Sequence, residues 1–422
     1  MTGTSTVEGA TERLRRVGQA YIGVIRSRTY FPLWLGQLIS SFGDTLHYIA
    51  LVVLVFRLTG QGLAVAAVVA AEIVPVLLLG PIAGVIIDRF NRKAVLIGAD
   101  LARALLVFSL IWPQGAWHVY LVAAGLAAGS TFFNPTVQAV IPVLTTETQR
   151  LAANSVAWST GRFVQIFASA FAGGLIAFLG TGPVFGVNAA SFVVSAGCIA
   201  LLSIPPHAGQ VGAGSTRGLR SYFADAHAGL QFAARNRLVS RLLVVQSLAS
   251  FAVGATGALL IVLAEQHLRL PPAGFAWLIG AIGIGALCGP LIPNTLASDY
   301  RDARWLFVPY IIRGVGDVLL AVITPLPVAL VILFVYGLNT STGMVVFHST
   351  VQGAVPEQMR GRVFTLLDVT WSAMRLLSLV VGGVLVDVVG VRPVYWGGGI
   401  LLALAGVLGL MLLGRYDFRD AK

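Results

Sequence analysis

A chain of 422 residues with 57% hydrophobic and only 11% charged residues lacks the polar coat of a soluble protein, whose residues are about 25% charged. Its formal charge of +11 is scattered through short loops rather than gathered on one basic face, which argues against a nucleic-acid surface and for an oriented membrane protein. Cys198 and Cys288 each sit inside an apolar run, so no disulfide framework is implied.

Windows of about 19 residues, broken at Pro, Gly and charge clusters, predict twelve spans. They cover 30–57, 63–87, 94–112, 118–141, 155–179, 184–203, 239–264, 274–297, 303–323, 327–350, 363–389 and 393–413. The expected fold is an all-α membrane protein with twelve transmembrane helices in two pseudo-symmetric six-helix bundles. Residues 1–29 form an N-terminal tail, 30–203 the first bundle, 204–238 a linker, 239–414 the second bundle and 415–422 a short tail. Residues 1–28 hold Glu8, Glu12, Arg13, Arg15, Arg16, Arg26 and Arg28 without a short apolar core and cleavage site, so a cytoplasmic tail is expected rather than a signal peptide.

The first span carries an acid at bilayer depth, where an ionisable group costs a few kcal/mol and invites a functional explanation. Asp44 lies about 20 Å of helix rise from the cytoplasmic end. Gln37, Ser40, Ser41, Asp44, His47 and Tyr48 recur at steps of three and four, which makes one helix face polar where lipid would not tolerate it. That face should line an aqueous cavity. Glu72, near the middle of the second span, is placed to share it, and two carboxylates in one partly dry site suit proton coupling.

Between spans two and three stands "GVIIDRFNRK" (84–93), which concentrates three cations and one anion in a turn. Gly84 allows close helix approach, Asp88 can face the positive N-terminal end of another helix, and Arg89, Arg92 and Lys93 suit an anionic cytoplasmic surface. This loop resembles the signature Gly-x-x-x-Asp-Arg-x-x-Arg-Lys of the major facilitator superfamily, and the resemblance extends over roughly 30–413. It implies a carrier that rocks about a midplane site, and a cytoplasmic latch in which Asp88 and Arg92 engage span eleven in one state only. The second-half counterpart, "GPLIPNTLASDYRDAR" (289–304), keeps Gly-Pro but not the charge order, so unequal latches are expected.

Spans four to six repeat in spans ten to twelve: "TVQAVIP" (136–142) with "TVQGAVP" (350–356), "WSTGR" (158–162) with "WSAMR" (371–375), and "GGLIAFLGTGPVF" (173–185) with "GGVLVDVVGVRPVY" (382–395). "QLISSF" (37–42) and "QSLASF" (246–251) extend the repeat to spans one and seven. Arg162 and Arg375 are therefore equivalent, either snorkelling to the inner surface or pointing inward to an anionic group, Arg375 with Asp368 two turns away. Asp100/Arg103 and Arg313/Asp317 are spaced as pairs within single helices and read as structural. In the linker, Leu219, Tyr222, Phe223, Ala226 and Leu230 share a face, which predicts an interfacial helix.

The cations sort by side. The tail, Arg89/Arg92/Lys93, Arg150, the linker, Arg301/Arg304, Arg360/Arg362 and the C-terminal Arg415/Arg419/Lys422 fall on one face, against Arg57, Arg269 and Arg392 on the other. Both termini are thereby expected in the cytoplasm, in a cell (inner) membrane. Lys93 and Lys422 are the only lysines, and neither completes a phosphate-binding loop; no nucleophile motif is present and His348 has no ligand at metal spacing, so neither an enzyme, a metal site nor a cofactor is expected.

The pattern "FFNPTVQAVIP...ANS...GG...FGVNAASF" resembles the superfamily branch that holds macrolide efflux pumps and enterobactin exporters. That implies proton-coupled export of amphipathic drug-, macrolide- or siderophore-like molecules by a monomer. The helix-five antiporter signature appears only as Ser169-Ala-Phe-Ala-Gly-Gly174, and span four lacks an Arg. A lipid or lysophospholipid carrier, an importer and a non-transporting receptor are the alternatives. Abundant Arg and scarce Lys point to a GC-rich bacterial genome.

Overall fold

The computed structural model describes residues 23–204, 231–289 and 303–414 apart from Pro356, with some side chains inside these helices outside the description. Twelve helices of 17 residues or more lie among the described residues: α1 Phe31–Thr59, α2 Gly62–Arg89, α3 Arg92–Ser109, α4 Ala116–Leu144, α5 Glu147–Leu179, α6 Thr181–Ala200, α7 Arg237–Ala258, α8 Pro272–Cys288, α9 Ala303–Leu320, α10 Leu326–Ala354, α11 Glu357–Val389 and α12 Val391–Leu413. They match the expected spans one to one, and eight contain segments long and apolar enough to cross a bilayer by length and composition. The interfacial helix expected at 219–230 and most of the loop at 289–304 lie outside the described residues.

The internal repeat is visible in the helices themselves. Both α4 and α10 have 29 residues, both α5 and α11 have 33, and each of the latter is joined to its successor by one glycine, Gly180 at φ 79° and Gly390 at φ 84°. Only glycine adopts that left-handed backbone without strain, so the turn can be this short.

Several helices outrun the expected spans for a local reason. At α5, Thr146 and Gln149 form a capping box, so the helix begins at Glu147 rather than 155. Hydropathy detects the part that lipid surrounds, whereas caps set the part that folds. In contrast, α7 gives way to a π turn at Leu263–His267, followed by Arg269 at φ 53°.

Glycines let helices within each half approach closely. A Cβ on Gly285 of α8 would overlap the Phe334 carbonyl of α10, and one on Gly337 would overlap the Ile282 carbonyl in return. Gly337→Ala is expected to cost about 1–3 kcal/mol by overpacking, read as a lower thermal midpoint in detergent. Gly280→Ala, which meets nothing within 4 Å, is the control and should be silent.

The first six and last six helices meet along α2/α11 and α5/α8. One buried apolar cluster runs through both sets at a single end, joining Leu51–Phe56 and Val65 to Leu259–Ala264, Val386 and Val391. At the opposite end, where α1 and α7 start and α12 stops, the cores are separate: Leu33, Leu96, Val140 and Ile199 in one, Leu242, Leu306, Val355 and Leu413 in the other. Among the described residues, the two halves share a buried core at the first end and keep separate cores at the second.

Candidate functional site: a charged hollow between the halves

Asp44 is the fourteenth residue of the 29-residue α1, and its side chain is exposed. At about 100° per residue, Tyr48, Gln37 and Ser41 lie roughly 20–60° to one side of it and Ser40 and His47 roughly 40–60° to the other. The structure divides the polar stripe along that line. Gln37, Ser41 and Tyr48 remain partly exposed, while Ser40 and His47 are 4% and 5% exposed. His47, expected to line the cavity, instead packs edge-on against Phe185 of α6, ring centroids 5.4 Å apart. The cause is close packing of α1 on α6: Gly36 and Gly43 bring the backbone against Ser195, Asn188 and Ser191, which covers that edge of the stripe.

Charges from four helices lie within reach of one another around Asp44, with Asp100 and Arg103 buried. Asp44 lies within electrostatic range of Asp100 and Arg103 of α3, and Glu72 of α2 within range of Asp44 and of Arg375 of α11. Tyr48 is near both Glu72 and Arg375, and Tyr336 of α10 is also near Arg375. Arg375 thus points inward, the second of the two orientations open to it from sequence, and its near acid is Glu72. Asp368 is exposed on α11, two turns away. Arg162 belongs to α5, with its side chain outside the description.

Arg103 is a residue whose importance sequence reasoning missed. It is 3% exposed, pairs with Asp100, reaches Ser130 at 3.4 Å and sits between the rings of Phe133 and Phe192 at 4.2 and 4.4 Å. Two aromatic faces and one carboxylate make a buried cation tolerable. The i,i+3 spacing revealed the pair; its nearness to Asp44 depends on how α3 stands against α1.

In the second half Arg313 lies within electrostatic range of Asp317, as its spacing in one helix predicts, and each has a further partner. Arg313 stacks on Tyr336 at 4.0 Å, and Asp317 accepts from the Thr256 hydroxyl at 3.3 Å.

At the divided end, Arg92 donates to the Ala139 carbonyl at 3.2 Å, and Lys93 donates to the Ala200 and Leu202 carbonyls at 2.7 and 2.8 Å. All three bonds stay within residues 92–202, and Lys93 closes the C-terminus of α6, where a cation suits the orphan carbonyls. The backbone of Gly84, Asp88 and Arg89 belongs to the end of α2, with their side chains outside the description.

Residues 21–418 match the family described as transmembrane secretion effector. The chain belongs to the major facilitator superfamily. It is therefore a membrane transporter and not an enzyme. Among relatives of this superfamily, an uncharacterised MFS-type transporter, YfiS of Bacillus subtilis, is 28% identical over 384 residues, 90% of this chain and 92% of that one. Macrolide efflux protein A of Streptococcus pyogenes is 22% identical over 390 residues, covering 90% and 94%. The crystal structure of a bacterial homologue of the human lysosomal transporter Spinster, inward-facing and unoccupied, superposes with a TM-score of 0.72 at 12% identity, over 95% of this chain and 98% of that one. The fold is that of the superfamily's transporters.

Proposed function

We propose that this transporter exports amphipathic small molecules, of macrolide-, drug- or siderophore-like chemistry, in exchange for protons by alternating access. It does so as a monomer in the cytoplasmic membrane of a bacterium, with both termini and the divided end in the cytoplasm. The arginine asymmetry of the loops supports that orientation. Export is supported by the efflux activity named for the streptococcal relative.

The observation that carries the reading is the charge balance of the hollow. Among the described charges that lie within range of one another, Asp44, Glu72 and Asp100 oppose Arg103 and Arg375, so three carboxylates meet two guanidiniums and one negative charge is left over. Away from bulk water an unbalanced anion is costly, and one bound proton or one cationic substrate removes it. Competition for that single charge is a sufficient basis for exchange. Asp44 is the exposed member and is assigned the exchangeable proton.

The test is accumulation in everted vesicles, whose outer face is cytoplasmic. Energised vesicles should concentrate erythromycin, and nigericin, which collapses the pH difference, should discharge it. Accumulation that survives nigericin and depends only on membrane potential would remove protons from the mechanism.

A lipid carrier is the second reading, favoured by one feature. Leu63, Ala67, Ala71, Val74, Tyr120 and Val380 line an almost wholly apolar recess of about 440 Å³ between α2, α4 and α11, open to the side. Movement of a labelled lysophospholipid without erythromycin movement would favour it.

A further inference from the structure

One to two turns from Asp44 toward the start of α1, the first six helices line a cavity whose described polar side chains are uncharged. Gln37, Leu38 and Ser41 of α1, Gln138 of α4 and Thr160 of α5 line a cavity of about 120 Å³ toward the divided end. It adjoins a recess of about 510 Å³ bounded by Gln37, Asn134 and Gln138. At roughly 30 Å³ per water, the inner cavity has room for about four waters, enough for one functional group. The outer recess is of the size that takes a drug-like body.

Three features separate this wall from ordinary packing. Asn134 and Gln138, one helical turn apart, are exposed inside a membrane-spanning helix, where an amide facing hydrocarbon would go unsatisfied. The Gln37 amide nitrogen is buried with no hydrogen-bond partner. Its repeat counterpart Gln246 is held instead, accepting from the Tyr310 hydroxyl at 2.8 Å. The same residue type is thus tied down in one half and left with a buried, unpaired donor behind a cavity wall in the other. Neighbouring polar groups are already engaged: the Tyr30 hydroxyl donates to Ala153 and the Trp34 indole to Thr160, both at 3.0 Å. An unpaired buried amide is unfavourable, a penalty that rotation of the Gln37 amide onto an arriving ligand would relieve.

We propose that Gln37, Asn134 and Gln138 form an anchoring subsite for an uncharged group that both donates and accepts hydrogen bonds, such as the vicinal hydroxyls of a sugar or a carboxamide. Among the described side chains no acid or base lines either hollow, Tyr30 apart, and carboxamides present both a donor and an acceptor. The substrate class is therefore an amphipathic molecule whose apolar body lies in the recess and whose neutral polar head enters the inner cavity. This rests on the transport reading above, with the neutral head added as the recognised feature.

The experiment compares two probes that each carry one positive charge. Erythromycin bears sugar hydroxyls, whereas tetraphenylphosphonium has no hydrogen-bonding group. In everted vesicles, Gln138→Leu and Asn134→Leu should each raise the KM for erythromycin at least tenfold more than that for tetraphenylphosphonium, with kcat for erythromycin maintained. A loss of one hydrogen bond is of this order. Equal changes for the two probes, a fall in kcat instead of a rise in KM, or a wild type that moves tetraphenylphosphonium but not erythromycin each overturns the subsite and leaves export standing. A wild type that moves neither probe overturns the export reading and the subsite with it. Gln138→Asn, which keeps the amide, should recover part of the lost affinity.

Discussion

Replacing Asp44 with asparagine is expected to abolish uphill movement while leaving insertion and folding intact. The amide is nearly isosteric with the carboxyl, and Asp44 is exposed to the hollow rather than wedged in the core, so packing changes little. What changes is charge: Asp44→Asn removes the surplus anion for which proton and substrate compete. Each pH unit supplies about 1.36 kcal/mol, so one-for-one exchange across two units is bounded near a hundredfold accumulation. The variant should approach a ratio of one, yet still equilibrate labelled for unlabelled substrate, because downhill exchange needs no proton. If Asp44→Asn concentrated erythromycin as the wild type does at every pH tested, the coupling assignment would be wrong.

The second large effect belongs to the shut end. Asp387, near the C-terminus of α11, accepts from the backbone N–H groups of Gly62 at 2.8 Å and Leu63 at 3.1 Å, the first two residues of α2. An acid is disfavoured at the end of its own helix by the macrodipole, and favoured at the N-terminus of another. Here one half of the transporter supplies the N-cap for a helix of the other. The seal is reinforced by Gly383, where a Cβ would stand only 3.0 Å from Leu63 and Ala66, and by Arg57, which lies within electrostatic range of Glu265. Burial pushes the Glu265 carboxyl up, and Arg57 opposes that shift.

Losing an N-cap costs about 0.5–2 kcal/mol, which moves a two-state equilibrium by about 2- to 30-fold. Asp387→Ala is accordingly expected to favour opening at the shut end. A cysteine placed at Ala66, 2% exposed between the halves, in a variant lacking Cys198 and Cys288, reports it through its rate of labelling by N-ethylmaleimide. The rate should rise by that factor in Asp387→Ala and much less in Asp387→Asn, whose amide oxygen still caps. Equal rates in all three proteins would show that the contact does not hold the end closed.

Asp387 also shows where reading the chain by itself stops. The residue stands in the repeated segment "GGVLVDVVGVRPVY" (382–395), and its partners are 325 and 324 residues away in sequence, backbone groups that carry no side-chain signature. Polar caps across a closed interface can be found only once two helices are placed side by side. Arg103 makes the same point within one half: a pair three residues apart is legible, but a cation between Phe133 and Phe192 beside Asp44 is not.

Hydropathy made the all-helical, multi-span fold legible and the loop at 84–93 made the superfamily legible, because lipid solvation acts on each helix separately and leaves its period in the chain. The polar stripe of α1 was equally legible as a stripe. Which edge of it is functional was decided by tertiary packing: α6, admitted by Gly36 and Gly43, covers Ser40 and His47 and leaves Asp44, Gln37, Ser41 and Tyr48 toward the hollow. The charge balance of that hollow was likewise set by how α1, α2, α3 and α11 meet, since helical periodicity specifies the direction of a side chain from its own axis and says nothing of the neighbour it will face.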